Sequence, residues 1–146
     1  MTTIAQQLKI KKFPFSINDH NGNKIYSENS DGYWFRREFD SNGNEIYHED
    51  SEGTWCKREF DSNGNEIYHE NSYGTWWKIE FDSKGNSIYY ENSDGIWWKR
   101  EFDSKGNEIY YENSKGVLYD KRTVELTMDE IAKKFGIDVN LLKIKK

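Results

Sequence analysis

The chain has 146 residues, the length of one domain, with a net charge of -5 and a single cysteine, Cys56. It is 34% hydrophobic, 16% aromatic and 32% charged. Its mean hydropathy is -1.08, so few aliphatic residues are available for a thick core. The mild, interleaved acidity argues against nucleic-acid binding, and one cysteine excludes an intramolecular disulfide. Without an apolar run of signal-peptide or membrane-spanning length, we expect a reducing cytoplasm and no membrane association.

The first residues of the chain predict a short helix followed by an edge strand. Thr3 and Gln6 have the spacing of a capping box, in which two side chains satisfy backbone amides at the start of a helix. The alternating apolar residues of Phe13–Ile17 are typical of a strand, and Pro14 places that strand at a sheet edge because proline donates no hydrogen bond. We therefore expect residues 1–18 to cap one end of the structure.

From residue 19 onward the sequence repeats itself every 21 residues. The segment Phe39–Tyr47 returns three times, and a degraded first copy spans Asp19–Tyr26. The later copies are Phe60–Tyr68, Phe81–Tyr89 and Phe102–Tyr110. Fixed-period self-similarity is typical of repeat proteins, in which each unit is stabilised by its neighbours.

Each repeat predicts a β-hairpin with two different turns. The Asn-Gly pair within Ser41–Asn44 favours a positive φ, and a second glycine ten residues later suits a three-residue loop. A loop over Ser41–Asn44 would pair Phe39 with Ile46. The same register pairs Arg36 with Glu49 and so brings opposite charges together.

This register places eight aromatic residues on one face of the predicted sheet. Tryptophans on alternate strands would stand about 9.6 Å apart, at two strand spacings. Such a row is either a contact surface for a partner or a set of cross-strand pairs that cover one another. The candidate binding residues are Trp34, Trp55, Trp76, Trp97, Tyr47, Tyr68, Tyr89 and Tyr110.

The end of the chain predicts a second cap over residues 123–146. Thr127 and Glu130 repeat the capping-box spacing, and Gly136 is a typical helix end. The helix also resembles the first half of a helix-turn-helix, but residues 139–146 are too short for a recognition helix. Three lysines there could still contact phosphate: Lys143, Lys145 and Lys146.

The predicted fold class is mainly β. A single antiparallel meander of about eleven strands, either flat or partly curled, would be built from about five hairpin repeats over residues 19–122. Short helical caps would cover both ends. The whole chain, residues 1–146, would form one repeat domain.

The residue types that suggest chemistry also have packing explanations. Asp40 and Gly43 lack the spacing of a calcium-binding EF-hand loop, and turn formation accounts for both. His48 and His69 share a position that tyrosine fills in later repeats, and Cys56 shares one with aromatic residues. We therefore expect no metal, no cofactor and no catalytic residues, and hence no enzymatic activity.

The unit Glu-Phe-Asp-Ser-Asn-Gly-Asn-Glu-Ile, with a second glycine ten residues after the first, resembles the YD repeat of RHS-type proteins. That repeat reads Tyr-Asp-x-x-Gly-Arg/Asn-x-Leu at a similar period. The resemblance spans residues 19–121 and implies β-hairpins in a long sheet. This chain has phenylalanine in place of tyrosine, adds a tryptophan column and has about five units, so the toxin-enclosing shells of that family are not implied.

The whole layout is also similar to short proteins encoded by bacteriophages and mobile elements. They combine Asp-Ser-Asn-Gly-Asn repeats with a terminal Glu-Ile-Ala-Lys-Lys-Phe-Gly-Ile segment. Some small proteins from that setting, anti-CRISPR proteins among them, inhibit host defence machinery. The resemblance implies a non-enzymatic protein-binding module in the cytoplasm of a bacterial host, with a bacterial defence complex as partner. Carbohydrate binding by the aromatic row and self-assembly into a homo-oligomer are the alternatives.

Overall fold

The computed structural model describes residues 2–122 and 126–142 and contains one eleven-stranded sheet with two short α-helices. The strands pair in chain order, each antiparallel to its neighbour, and the sheet is not closed. The predicted antiparallel meander is therefore confirmed. The elements are α1 (Ile4–Gln7), β1 (Phe15–Asn18), β2 (Lys24–Glu28), β3 (Trp34–Phe39), β4 (Glu45–Asp50), β5 (Trp55–Phe60), β6 (Glu66–Asn71), β7 (Trp76–Phe81), β8 (Ser87–Asn92), β9 (Trp97–Phe102), β10 (Glu108–Asn113), β11 (Leu118–Asp120), α2 (Met128–Phe135) and a 3₁₀ helix (Val139–Leu141).

The Asn-Gly turn is a three-residue loop with glycine in the left-handed region. In the loop between β5 and β6, the Asp61 amide donates to the Asn65 carbonyl at 2.9 Å, and the Gly64 amide donates to the Asp61 carbonyl at 3.0 Å. Gly64 has a φ of 84°, which residues with a Cβ adopt at a cost. The next loop, after Asn71, has the same backbone hydrogen bonds. Both turns of the repeat therefore use one geometry with different side chains.

The predicted register is confirmed in mid-strand and wrong beside the loop. Arg36 lies opposite Glu49, as predicted, but Phe39 lies opposite Glu45 rather than Ile46. The loop is one residue shorter than predicted, so Ile46 is left over and forms a β-bulge. The bulge recurs in the next three hairpins. One extra residue on one strand reconciles the short loop with the charge-paired centre of the hairpin.

Relative to the predicted register, the bulge exchanges the faces on which two adjacent side chains lie, those of Glu45 and Ile46. The Glu45 carboxylate lies 2.9 Å from His48 Nδ1 and 3.2 Å from Arg37 Nε, so it occupies the face predicted for Ile46. Ile46 instead lines a hollow on the opposite side with Tyr47 and Arg36. The predicted pairing with Phe39 would put Ile46 on the same face as His48, so that placement of Ile46 is wrong.

The N-terminal segment packs against the first strands through one carboxylate. Thr3 and Gln6 form the predicted capping box at the start of α1. Glu28, which is 3% exposed, accepts hydrogen bonds from Thr3 Oγ1 at 2.6 Å, the Ala5 amide at 3.1 Å and Tyr26 Oη at 2.8 Å. These bonds fix α1 to β2.

The C-terminal segment forms the predicted helix. Thr127 and Glu130 make a capping box, and Gly136 ends α2 in the left-handed conformation. The helix packs against the 3₁₀ helix that follows it. Part of the predicted cap lies outside the described residues. That part includes the three lysines considered for phosphate contact, Lys143, Lys145 and Lys146.

The sheet is one layer thick, as the low aliphatic content predicts. Within the described ranges, the buried apolar residues are Ala5, Tyr26, Cys56 and Ala132. Most strand side chains are half-buried on both faces. Cross-strand contacts within the layer, rather than a separate core, therefore bury most of the apolar surface.

Candidate functional site

The eight aromatic residues singled out from the sequence lie on one face of the sheet, which we call the ladder face. Arg36 on β3 lies opposite Glu49 on β4, and Tyr47 on β4 lies opposite Lys57 on β5. Paired residues, and residues two apart on one strand, project to the same side of a sheet, so these four side chains share one face. The same pairs recur along the sheet. The full set is Trp34, Trp55, Trp76, Trp97, Tyr47, Tyr68, Tyr89 and Tyr110.

Equivalent residues on the ladder face are staggered, so the predicted spacing of about 9.6 Å is too short. Tyr47 lies opposite Lys57, whereas Tyr68 lies opposite Glu59 on the same strand. Each repeat therefore advances two residues along the strand, or about 6.8 Å, while it moves about 9.6 Å across two strands. The separation in a flat sheet is roughly 12 Å along a line inclined to the strands.

Each ladder tyrosine is fixed by the glutamate two residues later. Tyr47 Oη donates to Glu49 at 2.7 Å, Tyr89 donates to Glu91 at 2.9 Å, and the other repeats do the same. The hydrogen bond to Glu91, together with burial, raises the pKa of Tyr89. The phenols therefore stay protonated at neutral pH and act as donors.

A cation from the neighbouring strand, or for Tyr110 from just after β11, covers the face of each ladder tyrosine. Lys57 Nζ lies 5.5 Å from the centre of the Tyr68 ring and 2.9 Å from Glu59. Lys78 Nζ has the same relation to Tyr89, at 5.6 Å. Arg36 covers Tyr47 at 5.4 Å, and Arg122 covers Tyr110 at 3.9 Å. These cation–π contacts leave the rings half-buried beneath charged side chains.

The bulges create a row of open hollows on the ladder face. The floor of each hollow is an isoleucine and tyrosine pair, such as Ile67 and Tyr68, and its rim is formed by charged residues of the flanking strands, such as Glu59 and Lys78. Their volumes are about 560, 480 and 550 Å³ along the sheet. The floor isoleucines were not among the predicted site residues. A three-residue loop combined with the Arg36–Glu49 pairing nevertheless leaves one residue between them without a cross-strand partner, and that residue is the isoleucine.

The opposite face holds a histidine and cysteine cluster whose geometry is that of packing. Cys56 Sγ lies 3.7 Å from His69 Nε2 and 3.9 Å from His69 Nδ1, so the sulfur faces the ring rather than one nitrogen. The other side of that ring stacks on Trp77, with centroids 5.8 Å apart and an interplanar angle of 8°. Burial raises the pKa of the Cys56 thiol. A buried, protonated thiol lacks the thiolate character of a nucleophile.

The loop carboxylates already accept hydrogen bonds from residues of their own loops. Asp61 Oδ1 accepts from the Asn63 and Asn65 amides at 2.8 and 2.9 Å, and Oδ2 accepts from Asn65 Nδ2 at 2.9 Å. Turn formation therefore accounts for each oxygen of Asp61. In residues 2–122 and 126–142, no group of three His, Cys, Asp or Glu side chains is arranged to hold a metal ion. None of the described helices has the length and apolarity needed to cross a bilayer.

Segments of much longer solved chains match part of this chain. The structure titled "Crystal Structure of TcdB2-TccC3-Cdc42" matches with a TM-score of 0.47 and 17% identity, over 68% of this chain and 5% of that chain. The Photorhabdus luminescens Tc holotoxin pore matches with a TM-score of 0.46 and 14% identity, over 78% of this chain and 6% of that chain. This chain therefore spans a small fraction of the length of these neighbours. No protein-family model matches it, and neither does any curated protein.

Proposed function

We propose that this repeat protein is a non-enzymatic binding module whose ladder face contacts a protein partner. The observation that carries the proposal is the row of hollows, each with an apolar floor and a charged rim, repeated along one side of an open sheet. Interfaces have this anatomy, with an apolar centre and a polar rim. The strands present a face of roughly 50 by 20 Å, which is near the 800 Å² or so that each partner buries in an interface of standard size.

A protein partner is favoured over a sugar because of how the tyrosine rings are covered. Carbohydrate recognition by an aromatic row needs open ring faces on which sugar rings can stack. On the ladder face, Lys57, Lys78 and Arg122 lie over the tyrosine rings. A sugar would have to displace charged side chains that also pair with glutamates, such as Lys57 with Glu59.

The resemblance to short phage and mobile-element proteins supplies a candidate partner. In that setting the partner is a bacterial defence complex, and the module acts as its inhibitor by covering a functional surface. The proposal needs no catalytic group. It is consistent with a packed, protonated Cys56.

The test uses two matched pairs of tyrosines on opposite faces of the same strands. Tyr89→Leu with Tyr110→Leu removes two phenols from the ladder face and keeps apolar volume. Tyr90→Leu with Tyr111→Leu makes the same chemical change on the other face, where Tyr90 stacks on Trp98. Each protein is immobilised, exposed to bacterial lysate and analysed by mass spectrometry, after circular dichroism has verified the fold.

We expect a host protein that is retained by the wild type and by the Tyr90/Tyr111 variant but lost by the Tyr89/Tyr110 variant. Retention by both variants would place the contact away from the ladder face. Capture of a second copy of the chain alone, seen with a differently tagged copy, would favour self-assembly. A glycan array should give no hits.

A further inference from the structure

We propose that the segment bound by the ladder face is basic, and that its lysine or arginine side chains enter the hollows beside the tyrosines. This inference rests on the proposed function and names the chemistry of its partner. It follows from the charge balance of the face, from the way the hollows already accommodate an ammonium group, and from the stagger of the repeats.

The ladder face has more carboxylates than cations. Each repeat contributes two glutamates and one cation to this face, as with Glu59, Glu70 and Lys57. Residues 1–18 contain lysines and no acidic residue, so the net charge of -5 arises from the rest of the chain. The rim carboxylates are accessible, since the side chains of Glu59 and Glu80 are 52% and 48% exposed. A basic partner therefore meets a complementary potential.

The hollow at Tyr89 already accommodates one ammonium of the chain itself. Lys78 Nζ lies 2.7 Å from Glu80 and 5.6 Å from the Tyr89 ring centre, between a carboxylate and an aromatic face. The second glutamate of the repeat, Glu91, uses one oxygen to accept the Tyr89 phenol. A carboxylate can accept about four hydrogen bonds, so Glu91 can also receive a donor from outside. The isoleucine floor, here Ile88, suits the aliphatic stem of a lysine.

The stagger of the repeats sets the spacing of the cations. Equivalent positions are roughly 12 Å apart along the inclined line. Residues four apart in an extended chain are separated by about 13 Å and point to one side. An extended segment with a basic residue at every fourth position therefore presents one cation to each hollow.

The probe is a labelled synthetic peptide that has one lysine at every fourth position, four lysines in all, with serine and glycine between them. The test variant neutralises three exposed rim carboxylates, Glu38→Gln, Glu59→Gln and Glu80→Gln. The control variant makes the same change in net charge away from the ladder face. Its substitutions are Glu52→Gln, Asp94→Asn and Asp129→Asn. Fluorescence anisotropy at low and physiological salt gives Kd for each protein.

We expect the rim variant to raise Kd about tenfold, because each exposed ion pair contributes a fraction of a kcal/mol. The control should change Kd less than twofold, and salt should weaken wild-type binding. Equal weakening by the two variants, or no binding at low salt, would overturn the inference. If the tyrosine variants still lose a host protein in that case, the proposed function stands with a partner of different chemistry. If the tyrosine variants also retain every host protein that the wild type binds, the proposed function fails together with this inference.

Discussion

Asp61 accepts three hydrogen bonds within its own loop, two from backbone amides and one from the Asn65 side chain. Asn71, at the other type of loop, accepts two backbone amides through its amide oxygen. The same backbone geometry is therefore held by a charged residue in one turn and a neutral residue in the next. The hydrogen bonds from Asn65 and from the backbone lower the pKa of Asp61.

This difference predicts how acid affects the loops. A carboxylate whose pKa is lowered by folding stabilises the folded state above its unfolded pKa of about 3.9, and that stabilisation is lost as the pH falls through the lower folded value. Asp61→Asn with Asn65→Thr copies the Asn71–Thr75 loop. The variant should unfold at nearly the wild-type denaturant concentration at pH 7 and lose less stability than the wild type between pH 5 and pH 2.

The measurement is the midpoint of urea unfolding across that pH range, followed by tryptophan fluorescence. Glu52→Gln is the control, because Glu52 is an exposed loop residue. It should retain the wild-type acid dependence. The same acid dependence in the loop variant would show that Asp61 is not a stabilising charge.

At the scale of elements, Glu28 joins α1 to the sheet. Its burial alone would raise its pKa, but the hydrogen bonds from Thr3, Tyr26 and Ala5 lower the pKa below its ordinary value. The carboxylate is therefore charged at neutral pH, and both of its oxygens accept hydrogen bonds. Hydrogen bonds to a charged acceptor are stronger than neutral ones.

Glu28→Gln should release α1 while the sheet stays folded. The amide places an NH₂ group where a carboxylate oxygen accepted hydrogen bonds, which leaves a buried donor facing other donors. We expect the free energy of unfolding to fall by about 1–3 kcal/mol. The Ala5 amide should also lose its protection from hydrogen exchange. Glu49→Gln is the matched control, since Glu49 also accepts a tyrosine phenol but holds no helix. Unchanged protection at Ala5 would contradict this account.

The sequence was a better guide to whole elements than to the bulged residues between them. The capping boxes were predictable because a cap such as Thr3 with Gln6 depends on residues only three positions apart. The central register was predictable because Arg36 and Glu49 attract each other. Ile46 was misplaced because alternation of apolar and polar residues cannot reveal a bulge by itself. The stagger of the ladder depends on pairing with both neighbouring strands, and a single hairpin does not contain that information.

At the scale of the whole molecule, stability depends on contacts between neighbouring strands. The strand-to-strand packing of the sheet follows chain order, as in other arrays of repeats. Both edge strands are short: β1 has four residues and β11 has three, against six in β3 through β10. Short edges limit pairing with other molecules, so the open sheet is protected from edge-to-edge growth.

This arrangement predicts that a complete period can be removed and half a period cannot. Deletion of residues 55–75 joins Thr54 to Trp76 and preserves the alternation of tryptophan-bearing and tyrosine-bearing strands. The shorter chain should keep the wild-type circular dichroism per residue and unfold at a lower temperature, because it has fewer neighbour contacts. Deletion of residues 55–65 would instead set two tyrosine-bearing strands side by side, with Glu49 opposite Glu66. That variant should aggregate or unfold, since a pair of like charges replaces the Glu49–Trp55 pair. Equal stability of the two deletions would mean that strand alternation, and the ladder built on it, is not what holds the sheet together.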